Sequence, residues 1–312
     1  MEKIMGIKNN LNNLIGNLPV ESGFKKRMRF HQAWWRTVVL VEEQGKHPAR
    51  KNEAIGNTIL NGRIDRKNFL SKNILAAVEE TIQDRKLARS GIIEEDRLFN
   101  NLLSSQPLCF NFFGELKYDN DLALKILQCF YPELTEVVKV MFEYAADEKY
   151  TNDNSAFDVA FEVIVGDKKG LLGIECKYTD SFSPKEYDKA AYLHIYNEDK
   201  GKTFIAPYKS LIASKFNQLF RNQLIGEALI QNKKYDFVFT GLFCHQSDIE
   251  AQNTGFEFQG MLKDGKSRFS VVTYQDYLEN LQKLDISWEL RELSMMLWAR
   301  YCGMKLSESA FV

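Results

Sequence analysis

The sequence predicts a mixed α/β fold whose core follows the order helix, strand, strand, strand, helix, strand, between a helical N-terminal extension and a C-terminal helix. Residues 157–165 and 171–178 alternate between apolar and polar side chains, the period of half-buried strands, and the short run GDKKG joins them. Residues 209–231 carry apolar side chains at helical spacing, and residues 235–244 form an apolar run typical of a buried strand. This αβββαβ core is expected to cover about residues 119–244.

The composition is ordinary for a globular protein, but the charge is unevenly distributed. The 312 residues are 45% hydrophobic and 27% charged, with a net charge of −1. Residues 1–72 hold fourteen Lys and Arg against six Asp and Glu, a balance of +8, so the remaining 240 residues carry −9. A basic N-terminal quarter beside an acidic remainder suits a protein that holds phosphates in one region and a metal in another.

The basic N-terminal part, residues 1–94, is expected to be mainly helical and to pack on or lead into a second region, residues 95–312, that contains the core. Its residues 24–45 begin basic, become apolar and interleave aromatic with basic side chains, which predicts a surface for nucleic-acid phosphates and bases. An amphipathic helix with solvated charges is the alternative. Residues 46–72 are interpreted as a loop near a ligand or an exposed connection. The candidate nucleic-acid contacts are Lys25, Lys26, Arg27 and Arg29.

Two helical segments are predicted between this region and the core. Residues 71–90 have helical apolar spacing with Gly91 as a stop. The segment from residue 92 is expected to end at Pro107, because proline cannot continue a helix. The aromatic run that follows, Phe110, Phe112 and Phe113, is predicted to be core.

The core itself begins with a helix and a strand. Residues 119–131 predict a helix with Asp119 or Asn120 as its cap and Pro132 as its stop. Residues 136–145 then predict the first strand of the sheet.

The two alternating runs bring three ionisable side chains together. A hairpin places Asp158 of the first strand beside Glu175 and Lys177 of the second, on one side of the sheet. Two carboxylates at the ends of adjacent strands make a hard oxygen site for Mg²⁺, and the backbone carbonyl of Cys176 can add a further oxygen. A lysine on the same face can hold or deprotonate an attacking water, or neutralise a phosphate. A solvated strand edge is the alternative interpretation.

Asp158, a gap of sixteen residues and the triplet Glu175-Cys176-Lys177 on an apolar strand resemble the motif of the PD-(D/E)XK nuclease superfamily, which has the restriction-endonuclease-like fold. Phe157 stands where the motif has its proline. The resemblance implies a mixed central sheet, Mg²⁺ as cofactor with Mn²⁺ able to substitute, and DNA as partner. It also implies Asp158 and Glu175 as metal ligands and Lys177 as a catalytic residue.

The resemblance extends to side chains outside the triplet. In such nucleases the helix between the third and fourth strands often supplies a polar residue that orients the water or the scissile phosphate, which makes Gln218 a catalytic candidate. Arg221, three positions further, is suited to bidentate phosphate contact. For both, the alternative is the solvated side of an amphipathic helix. Glu115 matches the acidic residue by which some members help hold the metal, and a carboxylate stabilised by a helix dipole is the alternative.

The remaining signals limit the fold and exclude other functions. A hairpin is predicted at Asp264-Gly265, and a closing helix over residues 286–303 is expected to pack on the core, with homodimer contact as the alternative. Five scattered cysteines without a C-x-x-C favour a reducing cytosol. No apolar run reaches the roughly 18 residues of a membrane span, and no G-x-x-x-x-G-K-[ST] motif for a nucleotide cofactor occurs.

We therefore expect a cytoplasmic, Mg²⁺-dependent DNA endonuclease that acts in restriction, phage defence or DNA repair. A nucleic-acid-binding or partner-binding module on a nuclease-like fold, without turnover, is the alternative.

Overall fold

A five-stranded mixed sheet organises the computed structural model, which describes residues 15–47, 50, 52–88, 93–152, 155–183 and 185–310. The described strands are β1 (Gln44–Lys46), β2 (Ala54–Ile59), β3 (Glu136–Ala145), β4 (Ala156–Val165), β5 (Lys168–Cys176), β6 (Phe237–Cys244) and β7 (Phe269–Thr273). The spatial order in the sheet is β3-β4-β5-β6-β7, antiparallel from β3 to β5 and parallel from β5 to β7. A separate antiparallel pair consists of β1 and β2. The predicted fold class is confirmed.

Helices of very different lengths surround the sheet. They are α1 (Gly23–Trp34), α2 (Gly62–Asp65), α3 (Lys72–Ala88), α4 (Glu95–Asn100), α5 (Ser105–Phe113), α6 (Asn120–Gln128), α7 (Glu148–Thr151), α8 (Ala190–Asp199), α9 (Tyr208–Leu211), α10 (Ser214–Gln231), α11 (Ile249–Gln259), α12 (Gly265–Arg268), α13 (Tyr274–Lys283) and α14 (Trp288–Tyr301). A π-helical turn (Trp35–Leu40) extends α1, and 3-10 segments cover Glu115–Tyr118 and Met304–Ala310. None of the described helices is both long enough and apolar enough to cross a lipid bilayer.

Separate apolar clusters form on the two sides of the sheet. One joins Val159, Phe161 and Ile174 to side chains of α3, α5, α6, α13 and α14. On the other side, α10 buries Ile225 and Leu229 against Ala160 and other strand residues. The apolar stripe predicted for residues 209–231 thus packs against the sheet, although the long helix begins only at Ser214, after α9.

Helix α1 is fixed by hydrogen bonds to residues near position 300. Arg27 donates to the hydroxyl of Ser307 at 2.9 Å and to the carbonyl of Met304. Gln32 donates to the carbonyl of Arg300 at 2.7 Å, and the ring of His31 contacts the Ser307 hydroxyl at 2.8 Å. Helix α1 is therefore hydrogen-bonded to α14 and to the 3-10 segment that follows it.

The structure corrects three local expectations. Pro107 does not end a helix but lies in the first turn of α5, where its missing N–H would have had no helical partner. The segment 46–72, expected to be irregular, contains β2 and α2. The helix predicted over residues 71–90 is present as α3, Lys72–Ala88, while residues 89–90 and the predicted stop at Gly91 lie outside the described residues.

The third correction concerns the predicted hairpin at Asp264-Gly265. Gly265 begins α12, and the residues before it form α11, whose first turn is capped by Asp248. Strand β7 then runs parallel to β6, which requires a crossover rather than a tight turn.

Candidate active site

The candidate site lies where β4 and β5 separate. The Gly166-Asp167 turn joins the two strands. Their pairing extends from Val165 opposite Lys168, next to the turn, to Val159 opposite Ile174. Beyond Val159 the backbone pairing ends. There the side-chain carboxylate of Asp158 accepts a hydrogen bond from the backbone N–H of Cys176 at 2.6 Å. This bond fixes the Asp158 carboxylate beside the strand that carries Glu175.

Three side chains, those of Gln218, Asn222 and Lys177, surround Glu175. The amide of Gln218 donates to one Glu175 carboxylate oxygen, and its own oxygen accepts from the Lys177 ammonium at 2.6 Å. Asn222, one turn further along α10, donates to the other Glu175 oxygen at 2.8 Å. The Lys177 ammonium also lies 3.6 Å from Glu175. Helix α10 therefore positions both the acid and the base of the predicted triplet.

The backbone of Lys177 is held from two directions. Its N–H donates to the carbonyl of Phe243 in β6 at 2.8 Å, and its carbonyl accepts a hydrogen bond from the hydroxyl of the buried Tyr274. The side chain is only 7% exposed, as is that of Glu175, and the Phe182 ring centroid lies 4.9 Å from the ammonium. The ammonium is therefore nearly enclosed and has few positions open to it.

A third carboxylate, Glu143, faces this region from β3. The register pairs Phe142 with Val159 and Tyr144 with Phe157, which places Glu143 opposite Asp158. Phe142 and Val159 pack in the apolar cluster on one face of the sheet, whereas Tyr144 and Phe157 pack in the cluster on the other face. In both strands, the side chains therefore switch faces between these two pairs. Glu143 has a φ of 50°, in the left-handed region that non-glycine residues rarely occupy. Such local strain is typical of functional sites.

Burial and mutual repulsion perturb the carboxylates. Burial raises the pKa of Asp158 well above its ordinary value, and the charges of Glu175 and Glu143 raise it further, against the Cys176 N–H and the Lys177 charge. Burial raises the pKa of Glu143 to about 7; a hydrogen bond from Gln106, at 2.7 Å, opposes this rise and the charge of Glu175 adds to it. A cation bound among these groups would relieve their repulsion.

The carboxylates of this site suit a magnesium ion that keeps several water ligands better than a metal ion that is held by protein side chains alone. Among the described residues, no group of three or more His, Cys, Asp or Glu side chains is arranged to hold a metal. Mg²⁺ keeps several waters and takes only one or two carboxylates. Asp158 and Glu175 would provide these two, because each of their oxygens that accepts a hydrogen bond here retains a further lone pair.

The other predicted site residues have different surroundings. Arg29 forms a bidentate pair with Glu21, at 2.6 and 2.8 Å, and Arg27 bonds to the segment 304–307, so both guanidinium groups have partners inside the protein. Lys25 and Lys26 are exposed on the first turns of α1. Arg221 stacks on the Tyr187 ring, 4.4 Å from its centroid, and donates to Ser155. The hydrogen bonds of the Glu115 carboxylate come from Ser71 and Asn73.

Sequence reasoning missed Glu143 and its partner Gln106 as parts of the site. Gln106 comes from α5, in a segment that was interpreted as the end of a helix. A signal for Glu143 does exist, because it is an acidic residue within an apolar strand and lies fifteen positions before Asp158. Asn222, one helical turn after Gln218, was also not predicted as a site residue.

The comparisons with known proteins gave one match. A family model described as PD-(D/E)XK nuclease superfamily matches residues 19–303. Searches of curated proteins and of solved structures found no match. The matched range includes α1 and α14 as well as the sheet and the candidate site.

Proposed function

The chain belongs to the PD-(D/E)XK nuclease superfamily, and from that premise we propose that it is a Mg²⁺-dependent nuclease that hydrolyses phosphodiester bonds in DNA. Members of this superfamily are generally phosphodiester-cleaving nucleases. The observation that carries the proposal is the hydrogen-bonded connection from Glu175 through Gln218 to Lys177, next to Asp158 at the end of β4. A solvated strand edge would not need a buried amide to join an acid to a base.

In this proposal Asp158, Glu175 and the Cys176 carbonyl hold the metal. When bound, Mg²⁺ supplies positive charge that stabilises the charge developing on the phosphate oxygens. Lys177 orients the attacking water as an ammonium or, as the neutral amine, accepts the proton of that water at Nζ, because Gln218 and Glu175 fix this nitrogen at the site. Gln218 is a positioning residue, since it acts through its bonds to the other two.

We infer that the DNA backbone approaches from the side of α1 that carries Lys25 and Lys26. These lysines are exposed, and Lys25 lines a groove that also contains Phe182, the ring beside Lys177. Exposed lysines bind phosphates without reading sequence. A role in restriction, phage defence or DNA repair is part of the proposal, and the choice among these depends on the substrate.

One observation favours a second candidate, a nucleic-acid-binding protein without turnover. Both oxygens of Glu175 already accept hydrogen bonds from amides, and Glu175 and Lys177 are each only 6% exposed. A protein that uses the network only to stabilise its fold would also have this arrangement.

Incubation of supercoiled plasmid with the protein in Mg²⁺, Mn²⁺ or EDTA separates the two candidates. We expect nicked or linear DNA with either metal, intact DNA in EDTA, and no cleavage by the Glu175→Gln variant. Cleavage by that variant at the rate of the wild type would contradict the assignment of the site. Binding of plasmid and of single-stranded DNA without cleavage of either in any metal would support the second candidate.

A further inference from the structure

A groove opens beside Lys177, between the segments that follow β5 and β6. Its volume is about 250 Å³, and its lining includes Phe24, Thr179, Phe182, Ser247 and Asp248. Because β5 and β6 are parallel, their carboxyl ends lie at the same edge of the sheet, where ligands bind in open α/β sheets. The groove and the candidate active site are adjacent, since the Phe182 ring lies 4.9 Å from the Lys177 ammonium.

Two aromatic rings line the groove. Phe182 belongs to the chain that leaves β5, and Phe24 belongs to α1, where its ring packs against His245 at 4.9 Å between centroids. Both rings are partly buried, so each has one region packed and another accessible. Flat aromatic faces at a nucleic-acid site stack on bases, and they do so for any base.

The polar lining disfavours phosphate as the occupant. Asp180 is paired with Arg97 at 3.1 Å, but Asp248 and Glu250 still outnumber the single basic lining residue, Lys25, and would repel an anion. Asp248 caps α11 by accepting from Ala251 at 3.0 Å with one oxygen. Carboxylates accept hydrogen bonds from the exocyclic amino groups of cytosine, adenine and guanine.

The size of the groove suits one ring system. Pockets for drug-sized ligands measure about 300–1,000 Å³, and this groove is smaller. A paired base cannot enter it, because base pairing and stacking hold the base inside the duplex.

Resting on the proposed function, we propose that this groove receives one unpaired base of the substrate, next to the scissile phosphate, with Phe182 as the stacking surface. The substrate class is then single-stranded DNA or DNA with unpaired nucleotides, such as flaps, bulges or frayed ends. A base with an exocyclic amino group is preferred over thymine, because thymine has no amino group to donate to the acidic lining and presents two carbonyl oxygens that the carboxylates repel.

Binding in EDTA tests the groove without any requirement for cleavage. Fluorescence anisotropy with labelled twelve-nucleotide oligo-dC, oligo-dT and a duplex is compared for the wild type, Phe182→Leu, Phe182→Tyr and Phe256→Leu. We expect Phe182→Leu to weaken oligo-dC binding by about 5- to 150-fold, the range for loss of one base–aromatic stack. Phe182→Tyr should retain the affinity, and the exposed Phe256, which does not line the groove, is the matched control. The wild type should bind oligo-dC more tightly than oligo-dT.

An equal loss of duplex and oligo-dC binding in Phe182→Leu would overturn the proposal, as would unchanged oligo-dC binding.

Cleavage in Mg²⁺ provides the second measurement, with a single abasic site moved along an otherwise intact strand. The wild type should cleave more slowly when the abasic site stands at one particular position of the strand. Phe182→Leu should already cleave the strand without an abasic site slowly, and an abasic site at that position should not slow its cleavage further. Plasmid cleavage that does not depend on Phe182 would support the nuclease proposal and contradict the base-binding role of the groove. Binding of oligo-dC that depends on Phe182, without cleavage in Mg²⁺, would support base binding and contradict the nuclease proposal.

Discussion

The side-chain amide of Gln218 accepts a hydrogen bond from the ammonium of Lys177 at 2.6 Å. Because its nitrogen donates to Glu175 at the same time, only one orientation of the amide satisfies both neighbours. The acid and the base of the site therefore share one positioning group, which comes from α10 rather than from the strands.

Loss of this positioning group should slow cleavage without preventing DNA binding. We expect Gln218→Ala to reduce the cleavage rate by about 10- to 100-fold, because Lys177 loses the partner that fixes its ammonium. Gln231→Ala is the matched control, since Gln231 lies on the same helix and bonds to the Ile195 carbonyl. Single-turnover rates and DNA affinity should be measured together, and a change in affinity alone would argue against positioning.

Replacement of the Asp158 carboxylate by an amide should abolish Mg²⁺-dependent cleavage and leave the fold intact. Asp158→Asn keeps an oxygen that can accept from the Cys176 N–H, and it removes a charge that burial and two neighbouring carboxylates disfavour. We expect Mg²⁺ to raise the melting temperature of the wild type but not that of Asp158→Asn. An equal Mg²⁺ shift in both proteins would show that the metal binds elsewhere.

Lys177 should affect the chemical step more than binding. Lys177→Ala should retain Mg²⁺ and DNA binding but slow cleavage by on the order of 10²-fold or more, the usual effect of losing a general base or a charge-stabilising group. Lys177→Arg keeps the positive charge but cannot release a proton. Activity in the arginine variant would identify an electrostatic role, and normal cleavage by Lys177→Ala would remove this residue from the mechanism.

The basic residues of α1 should separate into two groups. Neutralising the exposed pair, Lys25→Gln with Lys26→Gln, should weaken DNA binding and reduce the log–log salt slope by about 0.9 for each lost phosphate contact. Arg29→Gln should lower the free energy of unfolding and leave the salt slope unchanged, because Arg29 is paired with Glu21 and Asn57. A salt slope that does not respond to the lysine variants would make this part of α1 a solvated surface.

Acid should destabilise the fold through His31. Its Nδ1 contacts the Ser307 hydroxyl and its Nε2 contacts the Ala299 carbonyl at 3.0 Å, and burial lowers its pKa from 6.5 to about 4. Below pH 6.5 the unfolded chain binds a proton at His31 that the folded protein does not bind. The contribution of neutral His31 to the free energy of unfolding is therefore complete above pH 6.5 and is lost as the pH falls toward 4. This contribution is about 3 kcal/mol. Urea unfolding of wild type and His31→Gln from pH 4 to 7 should show a smaller pH dependence in the variant.

The sequence allowed the strands of the core to be predicted because burial on a sheet imposes a period of two, and 136–145 was predicted at the bounds that β3 has. The family motif is carried by residues close together in the chain, and the family assignment is confirmed. The hairpin at Asp264-Gly265 was wrong because turn residues alone do not reveal that β7 pairs in parallel with β6.

The candidate site was only partly predictable for a similar reason. Asp158, Glu175, Lys177 and Gln218 do come together, although their catalytic roles stay a prediction. Glu143 was missed because its position depends on the pairing of β3 with β4 and on a left-handed φ that no local pattern indicates. The partners of Arg27 depend on contacts across 280 and 277 positions of sequence, which composition cannot reveal.

The hydrogen bonds between α1 and residues 300–307 have a consequence for the order of folding in the cell. At roughly 5–20 residues per second, the ribosome adds the intervening stretch in about 15 to 55 seconds. Throughout that time Met28, Phe30 and Ala33, which are buried in the finished protein, lack the C-terminal elements of their final environment. The apolar face of this otherwise basic helix therefore stays without its last partners until they emerge, and protection by a chaperone would serve the nascent chain most during that interval.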